Sequence, residues 1–398
     1  MFRRVLKFGC LTFLAVFALT VLIVLPQAWE SLGHRASGER RARMEKSPQW
    51  KGGSFENPEP IINNVKTLTE AFSPSADASP KSPPEVMPVD PGLFETPPVS
   101  GVRATWLGHS TTLIEVDGVR VLTDPVWSER PSPLTWVGPT RYFPPLIALE
   151  KLPKLDAVII SHDHYDHLDM KTVQALISLT PRFIVPLGVG AHLEYWGVPA
   201  EKITEVDWWD RVKVGDVEVV STPVRHASGR QVLDRDATLW SSYALVGPTH
   251  RVWFSGDTGL FTAVQDIGEK LGPFDLTLIE VGQYHRGWPD WHLGPEQAVQ
   301  AHQLVRGKVF FPIHWGLFTL AYHAWTEPIE RASLAAKSAT VRIVMPKPGQ
   351  SVDVPPATED AFLTRWWPTV PFDDVSVHPI VSGNVVLRGA GGTAPAGK

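Results

Sequence analysis

The sequence predicts an α/β fold in which two sheets pack face to face beneath helical layers. Three observations carry that expectation. Short β-branched runs come in two batches, helix-like stretches lie between them, and polar clusters sit where strands end. With 398 residues, the chain can form two modest domains or one large α/β domain with appendages.

The elements follow in order along the chain. Phe8–Leu25 is a nearly uninterrupted apolar run, preceded by Arg3, Arg4 and Lys7. Its length reaches what a bilayer span needs. No small-x-small cleavage site precedes Pro26, so residues 1–27 are expected to be a single transmembrane anchor rather than a cleaved signal. Arg35, Arg40, Arg41, Arg43 and Lys46 on the other flank leave the membrane face open. A short helix is expected within Gln27–Lys46. Ser47–Ser100 is rich in Pro, Ser and Gly, so residues 28–100 read as an extended arm or linker.

A folded domain is expected over 101–350. Ala104–Leu107, Thr112–Val116 and Val119–Leu122 read as consecutive strands, with Asp117-Gly118 as a hairpin turn. Ala157–Ile160 and Phe183–Pro186 are strands around a helical stretch near Met170–Ser178. Val217–Ser221, Ser242–Val246, Val252–Ser255, Leu276–Ile279 and Val309–Pro312 form the second batch. Pro295–Val305 reads as a helix, with Pro in its first turn and Glu296 beside it. Residues 351–398 form an extension of no clear pattern, and Gly389–Lys398 is expected to be a disordered tail.

Composition narrows the chemistry. A net charge of −5 and a pI near 6.3 give no reason to expect nucleic acid as a partner. The single cysteine, Cys10, rules out intramolecular disulfides and any thiolate-held metal within the domain.

The richest stretch is Ser161-His-Asp-His-Tyr-Asp-His-Leu-Asp169, straight after the strand Ala157–Ile160. His162, His164, Asp166 and His167 place three imidazoles and a carboxylate within six positions. Such a donor set suits zinc, or iron and manganese in related geometry. Residues two apart share a side in extended backbone, so His162 and His164 can face one ion. Asp166 and His167 follow where a turn can aim them at a second. Three further candidates stand at strand ends: His226, Asp257 in Phe254-Ser-Gly-Asp-Thr-Gly259, and His314 in Phe310-Phe-Pro-Ile-His-Trp-Gly316. A lone strand-end histidine is more often structural, but four such positions around one cluster point to a shared cleft.

These motifs resemble those of the metallo-β-lactamase superfamily. Trp106-Leu-Gly-His-Ser110, Leu122-Thr-Asp-Pro125, Asp207-Trp-Trp209, Gly256-Asp-Thr-Gly259, Gly272-Pro-Phe-Asp275 and Ile313-His-Trp-Gly316 are similar, within it, to the N-acyl-phosphatidylethanolamine phospholipase D family. Asn57-Pro-Glu-Pro60 resembles part of that family's amino-terminal arm. The resemblance runs from about Trp50 to about Pro348, roughly three quarters of the chain. It implies an αββα sandwich with two Zn2+ in a cleft at its edge, other divalent metals being alternatives. His162, His164 and His226 would hold one ion; Asp166, His167 and His314 would hold the other; Asp257 would bridge them.

The implied activity is hydrolysis of N-acyl-phosphatidylethanolamine, or a similar glycerophospholipid, to phosphatidic acid and an N-acylethanolamine. A hydroxide shared by the two metals would attack, and Asp166, Asp257 and His292 would serve the catalytic step. His292 matches a family histidine near the metals and can protonate a leaving alkoxide. His109 and Asp124 are expected to orient the ligands. Arg230 and Arg235 are candidates for the substrate phosphate. Trp127, Trp136, Trp208, Trp209, Trp288 and Trp291 are candidates for an amphipathic rim, although most of the 16 tryptophans are expected in packing. Val281-Gly-Gln-Tyr-His-Arg-Gly-Trp288 departs from the family pattern beside the cleft, which puts substrate identity in question. Expected partners are a phospholipid substrate and a membrane, with a homodimer left open. The alternatives are a lactonase or ester hydrolase of the same superfamily, and a non-enzymatic metal-binding membrane protein.

Overall fold

The computed structural model describes residues 18–388 except 20, 23, 25, 27, 65–73, 232, 359 and 360. A short helix α1 (Gly38–Met44) and a two-strand ribbon, β1 (Trp50–Lys51) with β2 (Ser54–Phe55), precede the main body. The first sheet then begins with β3 (Val102–Gly108), β4 (Thr111–Val116) and β5 (Val119–Thr123), antiparallel neighbours joined by tight turns. β6 (Ala157–Ile159), β7 (Phe183–Pro186) and β8 (Ile203–Val206) add in parallel. Between them lie α2 (Met170–Leu176) and α3 (Gly190–Tyr195).

The second sheet starts with the meander β9 (Arg211–Val214), β10 (Val217–Thr222), β11 (Ser242–Val246) and β12 (Arg251–Phe254). β13 (Phe274–Glu280) and β14 (Gly307–Ile313) continue it in parallel, across α4 (Ala263–Leu271) and α5 (Pro295–Leu304). After α6 (Glu327–Ser338), β15 (Ser351–Asp353) returns to pair with β3. The sheets therefore run β15-β3-β4-β5-β6-β7-β8 and β14-β13-β12-β11-β10-β9.

Alternation along the strands builds the layers. Ala157 and Ile159 of β6 join Ile114, Val219, Leu245 and Phe254 in the core between the sheets. Val158 and Ile160 point the other way, into a second core with Leu176 of α2 and Leu193 of α3. Helices α4, α5 and α6 bury Ile267, Ala301 and Ile329 against the second sheet. Gly268 lets α4 cross α5 closely, since a Cβ there would meet the Leu304 carbonyl oxygen at 2.1 Å.

Several expectations change. Among the described residues no helix is long and apolar enough to cross a membrane. The membrane-anchored placement, and with it the anchor helix expected over Phe8–Leu25, is therefore withdrawn; most of that run lies outside the described residues. The residues that follow that segment are tied to the domain: Trp196 Nε1 donates to Glu30 O at 2.7 Å and Arg230 donates to Ser31 O. The Pro-rich arm packs on the domain rather than trailing as a linker: Met44, Phe55, Val89 and Phe94 are all buried. The carboxy-terminal extension is likewise part of the body. β15 completes a sheet, and Trp366 and Trp367 pack on Trp315, with ring centroids 5.3 and 5.7 Å away. Gly389–Lys398 lies outside the described residues.

Candidate metal centre

The cleft opens where β5, β6, β12, β13 and β14 all end, and it has a volume of about 380 Å³. Ser161–Asp169 connects β6 to α2. Its turn is closed by the His167 and Leu168 amides donating to His164 O at 3.1 and 2.8 Å. This brings His164 and Asp166 into the lining of the cleft, with His162 and His167 buried beside them. His226 arrives four residues after β10, Asp257 three after β12, and His314 directly after β14.

Two groups of donor atoms result. His164 Nδ1 lies 2.8 Å from His162 Nε2 and 3.3 Å from His226 Nε2. In the second group, His167 Nε2 is 3.2 Å from His314 Nε2, and Asp166 Oδ2 is 3.3 and 3.4 Å from those two nitrogens. Asp257 Oδ2 stands between the groups, 3.1 Å from His167 and 3.2 Å from His314, but also 3.9 Å from His162 and 3.8 Å from His226. All seven sequence-predicted ligands are thus brought together.

The hydrogen bonds on the far side of each ring decide what these atoms offer. His226 Nδ1 faces the Trp291 carbonyl at 2.8 Å, which can only accept, so Nε2 carries the lone pair. His167 Nδ1 meets the Asp124 carboxylate at 2.6 Å, which turns its Nε2 lone pair inward. Ser161 Oγ donates to Asp124 at 2.5 Å, so it accepts from His162 Nδ1 at 2.9 Å. Three inward nitrogens therefore present lone pairs to one another and to carboxylates, an arrangement that calls for cations between them. Asp257 Oδ1 is buried and lacks a hydrogen-bond partner, as a metal-ligating oxygen would in a bare protein. The donor set fits divalent metal binding.

The electrostatics agree. Burial, with the neighbouring His167, His164 and His226, holds His162 well below its ordinary value; burial does the same to His226. Both stay neutral and able to ligate. Burial opposes charge on His167 too, but Asp257, Asp166 and Asp124 together hold it well above its ordinary value. The same carboxylates would favour a cation bound at its Nε2.

Around these atoms lies a supporting layer. His109 Nε2 approaches Asp166 Oδ2 at 2.9 Å, and His109 O accepts from the His314 amide at 3.0 Å. His109, Asp124 and His314 all adopt positive φ, at 52°, 34° and 64°. Such backbone is uncommon for residues with a Cβ and collects at functional sites. His292 Nδ1 pairs with Glu280 Oε2 at 2.7 Å and lies 3.7 Å from Asp257 Oδ2. Glu280 also accepts from the Thr258 and Leu293 amides, at 2.5 and 3.3 Å. Burial works against charge on His292, yet Glu280 and Asp257 raise its proton affinity.

Sequence reasoning missed Glu280, although it carries the same signal as the ligands, a polar residue ending an apolar strand. It also missed Asn57 as a contact of the site: Asn57 Nδ2 donates to His226 O at 2.7 Å and Oδ1 accepts from the His226 amide at 3.1 Å. Arg230 is no phosphate ligand. It is buried, donates to the carbonyls of Ser31, Asp163 and Leu168, and stacks on Tyr165. Arg235 is largely exposed and lies 5.5 Å from the Trp291 ring. Of the six tryptophans expected at a rim, Trp288 and Trp291 line the cleft.

Such a centre on this double sheet belongs to a known class. Residues 119–315 match the Beta-lactamase superfamily domain, and the chain belongs to the metallo-β-lactamase superfamily as a metal-dependent hydrolase. It is 44% identical to an uncharacterized protein of Mycobacterium tuberculosis over 376 residues, spanning 92% of this chain and 100% of that one. It is 41% identical over 233 residues to N-acyl-phosphatidylethanolamine-hydrolyzing phospholipase D 1 of Caenorhabditis elegans, covering 56% of this chain and 65% of the relative. Among solved structures, isothiocyanate hydrolase from Delia radicum gut bacteria matches with a TM-score of 0.50 at 16% identity, over 63% of this chain and 98% of that one; this is a likeness of fold alone.

Proposed function

We propose that this protein is a zinc-dependent phosphodiesterase that hydrolyses N-acyl-phosphatidylethanolamine, or a closely similar glycerophospholipid, to phosphatidic acid and an N-acylethanolamine. The observation that carries the reading is the convergence of two three-ligand groups on Asp257, with the Glu280-bound His292 beside them. The nematode relative's phospholipase D activity supports the substrate class.

His162, His164 and His226 would hold one ion, Asp166, His167 and His314 the other, and Asp257 both. Two bound cations would lower the pKa of a shared water and offset the charge growing on a phosphoryl group. The chain's own residues do the rest. Asp124 and the Trp291 carbonyl hold His167 and His226 in the ligating tautomer. Glu280 fixes His292 through Nδ1, leaving Nε2 as the proton donor. In the reaction a water oxygen joins phosphorus and the bond from phosphorus to the ethanolamine oxygen breaks. That oxygen takes the proton from His292 and leaves as the alcohol. Trp288, Trp291 and Leu320 give the cleft an apolar side suited to a lipid.

The test is purified, zinc-loaded protein offered a phospholipid panel and a lactone panel in parallel, with products followed by mass spectrometry. Phosphatidic acid and N-acylethanolamine should form together, and 18O from labelled water should enter the phosphate. Lactone opening without phosphodiester cleavage would refute the assignment.

A further inference from the structure

We propose that the buried Arg225–Asp290 ion pair is a clasp through which the amino-terminal arm and the carboxy-terminal segment position His226 and His292. Arg225 and Asp290 are thereby positioning residues. The inference rests on the reading of His226 as a ligand and His292 as the proton donor.

Both side chains are fully buried and pair as a bidentate fork, with Arg225 Nη1 and Nη2 each 2.9 Å from an oxygen of Asp290. Neither partner is left with spare capacity. Arg225 Nε donates to Glu59 O at 3.1 Å, Nη1 to Gly383 O at 3.1 Å and Leu260 O at 3.3 Å, and Nη2 to Pro60 O. All donors of the guanidinium are thus engaged. Asp290 accepts in addition from the amides of Ile62, at 2.8 Å, and Gly383, at 2.9 Å. One ion pair therefore joins residues 59–62, 225, 290 and 383, which are remote in sequence and all lie outside regular strands and helices.

The neighbours of the pair are the functional residues. Arg225 precedes His226, and Asp290 precedes His292 by two positions. Trp291 between them supplies the carbonyl that fixes the His226 tautomer. The backbone of Arg225 also accepts from the Gly259 amide at 2.8 Å, two residues beyond Asp257. Gly259 packs so closely that a Cβ would lie 2.1 Å from Asp290 O. Asn57, on the same arm, grips both backbone polar groups of His226. A buried ion pair yields little net stability once desolvation is counted, so specifying a geometry is its better-attested use. Lysine has no planar fork and cannot reproduce this junction.

Asp290→Asn and Arg225→Lys test the clasp in the full-length protein. Thermal unfolding of each metal-free variant reports the fold. Zinc affinity is measured by competition with a chelator, and the visible spectrum of cobalt-substituted protein reports ligand geometry. Both variants should fold, bind zinc about 10- to 100-fold more weakly and show a changed cobalt spectrum. With bis(p-nitrophenyl) phosphate as substrate, kcat should fall more than KM rises. A variant that loses only melting temperature, with zinc affinity and cobalt spectrum unchanged, would overturn the proposal. Should Asp290→Asn not fold, Arg225→Lys decides alone, because it keeps the paired charges and removes only the fork. The metal readouts need no turnover, so a wild type inactive on phosphodiesters would sink the proposed function while still testing the clasp.

Discussion

Asp124→Asn is the most discriminating substitution, because one buried carboxylate supports a ligand of each proposed ion. Oδ2 accepts from His167 Nδ1 at 2.6 Å and from Ser161 Oγ at 2.5 Å, while Oδ1 accepts from the Ser161 amide at 2.6 Å. Ser161 Oγ in turn receives the proton of His162 Nδ1. Asparagine keeps the size, tolerates the positive φ of 34° and can still accept from the Ser161 amide. Its amide nitrogen, however, would face the two donors that Oδ2 now receives. His167 relieves the clash by moving its proton to Nε2, which removes the inward lone pair. Loss of such support for a ligating histidine costs about 10- to 100-fold in metal affinity, or roughly 1.4–2.7 kcal/mol. One or two unmet buried donors should lower the stability of the metal-free protein by about 1–3 kcal/mol each. Zinc competition at fixed pH and urea unfolding of the metal-free protein measure the two effects separately. Zinc affinity within twofold of wild type at both sites would show that the Asp124–His167 contact does not govern the tautomer.

Three further outcomes are expected. Replacing His164 or Asp257 with Ala should abolish bound metal and hydrolysis together; elemental analysis showing two tightly bound metals in either variant would refute the ligand assignment. His292→Ala should keep its metal but lose about 10²- to 10⁴-fold in kcat, so normal turnover would leave His292 a structural residue. His302, on the buried face of α5, is hydrogen-bonded to Thr277 Oγ1 at 2.7 Å, and burial pushes it down to about 4. An unfolded chain binds this proton near pH 6.5, so the folded state holds fewer protons between the two values. Its contribution is therefore complete above pH 6.5 and lost as pH falls towards 4, on the order of 3 kcal/mol in all. Unfolding free energies of wild type and His302→Gln between pH 7 and 4.5 check this: only the wild type should show that loss, and parallel curves would refute it.

Local chemistry made much of the molecule legible from its sequence alone. β-Branched runs bounded by turn residues located the strands at the centre of each sheet, because these are buried on both faces and tolerate little else. The His162–His167 motif was readable because its spacing and the adjoining strand lie within a dozen residues. His226, Asp257 and His314 followed from one rule, a polar residue just beyond a strand, and Glu280, the last residue of β13, carries nearly the same signal. Short edge elements escaped notice. β9, Arg211-Val-Lys-Val214, exposes its charged residues and has too few positions for a pattern, while β15 contributes only three residues. α4 places Val264, Ile267, Gly268 and Leu271 on one buried face, but Asp266 and Gly268 blur the period.

What only tertiary structure decided is which polar residues become buried, and against what. Asn57 and His226 stand 169 positions apart, and Arg225 and Asp290 are 65 apart. In sequence each looks like an ordinary solvated loop residue, because its partner is absent from the neighbourhood. The Pro-rich arm likewise has too little apolar surface to predict docking. Its attachment comes from Phe55 in a pocket with Trp240 and from backbone carbonyls that meet Arg225. The same holds for Arg230, whose charge suggested a substrate phosphate and whose burial gave it three carbonyl partners instead. Periodicity and motif spacing are properties of adjacent residues and survive in a linear string. The long-range pairing of buried polar groups depends on how the chain closes on itself, and exists only once it has done so.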